Sequence, residues 1–110
     1  MKRSTVLIAV LAGFGIGLYA PVWAADAAEG AKLYATKCRT CHGPTGDGNP
    51  AMAKALKVDI KPLGSADVQK KSDAELKANI TEGTGKMKAI SGFSAADLDN
   101  MVAHIRSLKK

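Results

Sequence analysis

The sequence predicts an all-α domain of about four short helices joined by irregular loops. Strand-like alternation of apolar and polar residues is almost absent. Ser72-Asp73-Ala74-Glu75 and Ser94-Ala95-Ala96-Asp97 both carry a helix-start pattern, in which a serine and an acid three residues on satisfy each other's backbone donors. Leu98, Met101, Val102, Ile105 and Leu108 then recur at helical spacing on one face. At 110 residues the chain is one domain at most, and it shows no internal repeat or low-complexity stretch.

The amino-terminal segment reads as a targeting signal rather than as part of the fold. Lys2 and Arg3 form a positive start, and Thr5 to Ala25 follow without a charge. Val22-Trp23-Ala24 puts small residues where a signal peptidase reads them, which predicts cleavage after Ala24: residues 1–24 as signal peptide and 25–110 as the mature domain. The rival is a retained anchor, since 21 uncharged residues are long enough to cross a bilayer. Gly13, Gly15, Gly17 and Pro21 weaken that helix. Cleavage takes Lys2 and Arg3 from the 16 basic residues, leaving 14 against 10 acidic ones, a formal +4.

In the mature chain, Asp26 caps a helix over about Ala27 to Lys37, with Gly30, Leu33 and Tyr34 on one face. Gly30 within it costs about 1 kcal/mol relative to alanine, which points either to a close helix crossing or to a tolerated surface glycine. Gly43 to Pro50 is loop by composition. Asn49 caps a short helix with Pro50 at its first position and Leu56 at its end. Lys57 to Leu63 is irregular, and Ser65 to Lys71 holds a short helical turn. A helix from Asp73 to about Glu82 turns Leu76 and Ile80 inward and stops at Gly83. Gly83 to Lys88 reads as an exposed, flexible loop with Met87 at its tip.

Chemistry concentrates in Cys38-Arg39-Thr40-Cys41-His42, which holds both cysteines of the chain. Two thiols three positions apart share one helical turn and reach two vinyl groups on one side of a haem. Each adds to a vinyl to form a thioether, and the next residue, His42, becomes the proximal iron ligand. Three rivals stand beside this one: a chance occurrence of the motif, a redox dithiol and a zinc site. A redox dithiol wants a βαβ setting that this chain lacks. Zinc needs a second ligand pair, and His104 stands alone. A covalently held haem, one per chain, also supplies a core to a small domain with only 5% aromatic residues. In bacteria this attachment happens outside the cytoplasm, so the motif and the signal peptide support each other.

A six-coordinate iron needs a second ligand from Met52, Met87, Met101 or His104. Met101 belongs to the apolar stripe of the last helix, and Met52 sits on a short helix close behind His42, so both read as packing. His104 neighbours that stripe. Met87 lies between Lys86 and Lys88 in a glycine-rich loop, 45 positions beyond His42. That is enough chain to return on the far face of the disc, so Met87 is the predicted distal ligand.

The chain resembles the class I monohaem c-type cytochromes of the small bacterial periplasmic kind. The resemblance runs through Gly30 with Leu33-Tyr34, Cys38-x-x-Cys41-His42-Gly43, Asn49-Pro50, Ser72-Asp73-x-Glu75-Leu76, Gly83-x-Gly85-Lys86-Met87 and Ile105-Arg106-Ser107-Leu108. It implies a small cytochrome c-like fold wrapped around one covalently bound haem c. It also implies a crossing of first and last helices at a glycine and two aromatics, with His104 standing where an aromatic is usual. A proline carbonyl after the motif, Pro50 or failing that Pro62, is implied as the acceptor of the His42 Nδ1 proton. The family often has proline after the ligand methionine. Here Lys88 follows Met87, so the loop lacks that fixed φ angle.

With both axial positions filled by the chain, no substrate reaches the iron and the remaining chemistry is one-electron transfer, not enzymatic turnover. The sequence thus predicts a monomeric periplasmic electron carrier. Lys37, Arg39, Lys86 and Lys88 are placed to ring a bare haem edge and to meet partners with acidic docking surfaces. Nucleic acid is excluded as a target of an exported haem protein. Membrane association would come only through partners or an uncleaved anchor. Two alternatives remain: a permanent haem subunit of a larger oxidoreductase, and an open-site haem enzyme or gas sensor.

Overall fold

A computed structural model describes residues 24–110, together with Gly13 and Gly15. The expected signal peptide and its cleavage motif lie almost wholly outside the described residues. Six helices follow one another: α1 (Ala27–Lys37), α2 (Arg39–His42), α3 (Pro50–Leu56), α4 (Ala66–Gln69), α5 (Asp73–Glu82) and α6 (Ala95–Ser107). The four expected helices are α1, α3, α5 and α6. α2 and α4 are single turns of four residues each. Among the described residues no helix is long and apolar enough to cross a membrane.

The caps form largely as the local sequence requires. Asp26 accepts from the N–H groups of Ala28 and Glu29, and Asn49 from those of Ala51 and Met52. The Ser94 box closes in both directions with Asp97. The Ser72 box closes only halfway: its hydroxyl accepts from Glu75 N at 3.1 Å, while the Glu75 side chain stays exposed in water.

α1 and α6 form the principal helix pair, and Gly30 sets their separation. A Cβ on Gly30 would lie 1.9 Å from the Asn100 carbonyl oxygen, so the crossing admits no side chain there. This decides between the two readings of Gly30 in favour of a close crossing. Beside it the rings of Tyr34 and His104 meet at 4.9 Å with a 54° tilt, which gives His104 the packing role implied for it. The Asn100 side chain also accepts from Asp26 N at 2.8 Å, tying the start of α1 to α6.

The buried core comprises Tyr34, Cys38, Val68, Leu76, Ile80, Met101, Val102 and Ile105. Its polar fastening was not legible in the sequence. The Arg106 guanidinium donates to the carbonyls of Gln69 at 2.8 Å and Lys71 at 2.6 Å and to Asp73 Oδ1 at 2.8 Å. Gln69 Nε2 donates to the carbonyls of Leu63 and Ile105, both at 2.9 Å. These bonds lock the α4–α5 turn onto α6.

Candidate functional site

α1 runs almost directly into α2, broken only at Cys38, whose φ of −119° ends one helix and opens the next. His42 N donates to Cys38 O at 2.9 Å, so Cys38, Cys41 and His42 sit on one turn. Both thiols are free. Cys38 is 7% exposed and Cys41 is half-buried. Burial, with Cys41 beside it, pushes the Cys38 thiol up to about 11. A redox dithiol and a zinc ligand both need a thiolate near neutral pH, and this environment opposes one. Among the described residues no three His, Cys, Asp or Glu side chains converge as a metal-binding set.

The imidazole of His42 is shielded, and burial lowers its pKa. It therefore stays neutral at physiological pH and keeps a nitrogen lone pair for a metal. Its Nδ1 is buried without a hydrogen-bond partner. The implied bond to the Pro50 or Pro62 carbonyl is thus not made. Pro50 opens α3, and its carbonyl is aligned along that helix instead.

Met87 lies on the loop that follows α5. The loop that carries it is more ordered than its composition suggests. Thr84 and Met87 exchange both backbone hydrogen bonds, at 3.0 and 2.9 Å, around a tight turn that Gly85 permits with a φ of 55°. Ile90 N donates to Ile80 O at 2.8 Å and docks the following segment on α5. Lys86 and Lys88 point into solvent, while Met87 packs against the core that includes Cys38. Of the other candidates, Met101 is 1% exposed inside the core, His104 is engaged with Tyr34, and Met52 is half-buried on α3.

Leu33, Leu63, Ile90, Phe93 and Leu98 also pack on the core and remain only partly covered. Partly covered apolar side chains, two free thiols and a buried, unpartnered imidazole nitrogen are together the chemistry that suits a flat apolar group bearing a metal. A separate shallow groove of about 510 Å³ flanks α2, lined by Ala35, Arg39, Thr40 and Pro44 among others. It includes neither cysteine nor His42, so it is not the cofactor site.

Residues 25–105 match the family model described as cytochrome C oxidase, cbb3-type, subunit III. The chain belongs to the class I c-type cytochromes. It is 39% identical over 106 residues to cytochrome c6 of Picosynechococcus sp. (strain ATCC 27264 / PCC 7002 / PR-6), covering 92% of this chain and 85% of the relative. It is 36% identical over 91 residues to cytochrome c-554(547) of Halothiobacillus neapolitanus, covering 78% of this chain and all of that one. A solved structure, the KustC0563 c-type cytochrome, superposes with a TM-score of 0.61 at 30% identity, over 74% of this chain and 98% of its own. This cytochrome therefore carries covalently bound haem c and is a one-electron carrier.

His104 contributes to a pH dependence of this cytochrome's stability, in the same sense as His42, whose pKa burial also lowers. Burial lowers the His104 pKa in the folded state, so the unfolded chain takes up the proton first as pH falls. Stability is complete above the unfolded value of about 6.5 and is lost as pH drops through and below it. Ion pairing lowers the Asp47 and Asp67 carboxyls from 3.8, so they act in a more acidic window. The denaturation midpoint of the holoprotein is expected to fall between pH 7.5 and 5.5, and His104→Phe to make that fall shallower by removing the His104 share of it. Equal slopes in the two proteins would refute the assignment.

Proposed function

We propose that Cys38 and Cys41 hold the haem by two thioether bonds, with His42 as proximal and Met87 as distal iron ligand. The observation that carries this reading is the placement of a neutral, shielded His42 on the same turn as both free thiols. Met87 supports it, since it turns inward from between two exposed lysines. Held in this way by Cys38, Cys41, His42 and Met87, the haem would supply one-electron ferric/ferrous chemistry. With His42 and Met87 as its two ligands, the metal would have no position left for a substrate, and the protein would work as a carrier, not an enzyme. The half-covered apolar residues exclude water from the metal, and that limits solvent rearrangement when its charge changes.

Residues 1–24 are proposed as a signal peptide removed after Ala24, delivering a periplasmic domain. The family match beginning at residue 25 and the Asp26 cap at the start of α1 support that boundary. Lys37, Arg39, Lys86 and Lys88 are exposed, and none has an ion-pair partner among the described residues. Cations left unneutralised around the attachment turn and the Met87 loop favour acidic redox partners, with a rate that falls as salt rises.

Extraction of the purified protein with acidified acetone tests the attachment. The pigment should stay with the wild type and leave the Cys38→Ser/Cys41→Ser double variant, whose thiols are gone. Pigment that washes out of the wild type rules the reading out. The name of the matching family model favours a second reading, a permanent haem subunit of a larger oxidoreductase. Co-purification of the native protein with a stoichiometric partner would select it over a free carrier.

A further inference from the structure

We infer that Gly83 is the positioning residue for Met87: the backbone of the Met87 loop rests directly on its Cα, and that contact sets where Met87 sits. The inference rests on the reading of Met87 as the distal iron ligand.

As the stop of α5, Gly83 has a role that other residues can fill. Two observations ask for more. Its backbone stands at φ 77° and ψ 168°, outside the left-handed helical region that asparagine also adopts and inside one that essentially glycine alone populates. A Cβ on Gly83 would also lie 2.6 Å from Met87 O, 2.8 Å from Ala89 N and 3.1 Å from Lys88 C. All three are backbone atoms of the segment that carries Met87, so no rotamer change makes room. Gly92 provides the contrast. Its φ is 92°, yet no atom among the described residues comes within 4 Å of a Cβ built there. Gly92 serves the path of the chain alone, whereas Gly83 also serves a contact.

Which side would yield to a side chain decides the consequence. α5 is anchored in the core by Leu76 and Ile80, 5% and 4% exposed. The segment beyond it lies on the surface, with Thr84, Lys86, Lys88 and Ala89 exposed. The loop is therefore the part that moves. Thr84 and Met87 exchange both backbone hydrogen bonds, at 3.0 and 2.9 Å, so the turn shifts as a unit and Met87 shifts with it. A Cβ at 2.6 Å from Met87 O falls about 1 Å short of an ordinary contact. A functional constellation must be held within about 0.5 Å of its working geometry, so a displacement of that size is enough to lose a ligand.

The test compares the holoproteins of wild type, Gly83→Ala, Gly92→Ala and Met87→Ala. The readouts are the weak long-wavelength band that a methionine sulfur gives with ferric iron, carbon monoxide binding to the ferrous protein, and the melting temperature. Gly83→Ala should lose the band and bind carbon monoxide as Met87→Ala does, although its methionine is intact. Gly92→Ala carries a backbone cost of the same kind in open space. It should melt below the wild type while keeping the band and excluding carbon monoxide. A folded Gly83→Ala protein that keeps the band and excludes carbon monoxide overturns the inference. A Gly92→Ala protein that loses the band overturns it too, because backbone strain alone would then suffice. If Gly83→Ala does not fold, the ferrous wild type decides by nuclear magnetic resonance: a nuclear Overhauser contact between Gly83 Hα and the Ala89 amide is expected, and its absence overturns the inference. Met87→Ala separates this from the premise. A band retained there removes Met87 as ligand, and a band lost there keeps the premise whatever Gly83→Ala shows.

Discussion

Gly30→Ala is expected to destabilise the holoprotein by about 3 kcal/mol, although alanine is the better helix former. Two effects of opposite sign meet here. In an isolated helix the substitution gains about 1 kcal/mol. At the crossing, the new methyl group would stand 1.9 Å from Asn100 O and 2.6 Å from Asn100 C. Both atoms are helix backbone, so no rotamer change relieves the clash and α1 must move away from α6 by more than an ångström. That movement loosens the Tyr34–His104 contact and the packing around Met101, Val102 and Ile105. Overpacking a rigid core costs about 1–3 kcal/mol and occasionally more, and this site has the least room to yield. For a domain of this size the thermal midpoint should fall by roughly 15 °C. A variant melting at or above the wild-type temperature would mean that the helices do not cross as described.

Met87→Ala is expected to abolish the weak long-wavelength band that a methionine sulfur gives with ferric iron. It should also let carbon monoxide bind the reduced protein, which the wild type is expected to resist. The reduction potential should drop as well, because a His/Met pair favours the ferrous state. Met52→Ala and Met101→Ala serve as controls. Removing the fully buried Met101 side chain costs about 2–5 kcal/mol in stability, yet it should leave the band in place. Persistence of the band in Met87→Ala would overturn the proposed ligation and shift attention to Met52. The turn that carries Met87 is closed by its backbone pairing with Thr84, so the lysine that replaces the usual proline at position 88 leaves an ordered loop. The structure thus differs from the flexible segment that its glycines suggested.

The elements with local causes could be read directly. Asp26, Asn49 and Ser94 cap helices because each has backbone donors within three residues. The Cys38–His42 motif was legible for the same reason, since its chemistry depends on spacing along one turn. The apolar stripe of α6 placed Met101, Val102 and Ile105 in the core from periodicity alone. Glu75 shows the limit of such reading. It has the right spacing for a box, but in water its side chain gains little by folding back.

Contacts between residues distant in sequence could not be read that way. A glycine in a helix has the same local cost whether it faces water or another backbone, so the role of Gly30 waited on where Asn100 comes to rest. Tyr34 looked like core, and its hydroxyl found Gly43 only after the turn at Cys38 brought α2 back beneath it. The reach of Arg106 to three groups near residue 70, and the missing acceptor at His42 Nδ1, likewise depend on the path of the whole chain. Hydrogen-bond partners must come within about 3 Å, and neither composition nor periodicity specifies distances on that scale. One turn of residues was enough to name the chemistry; the contacts that surround that turn required all the helices to be in place.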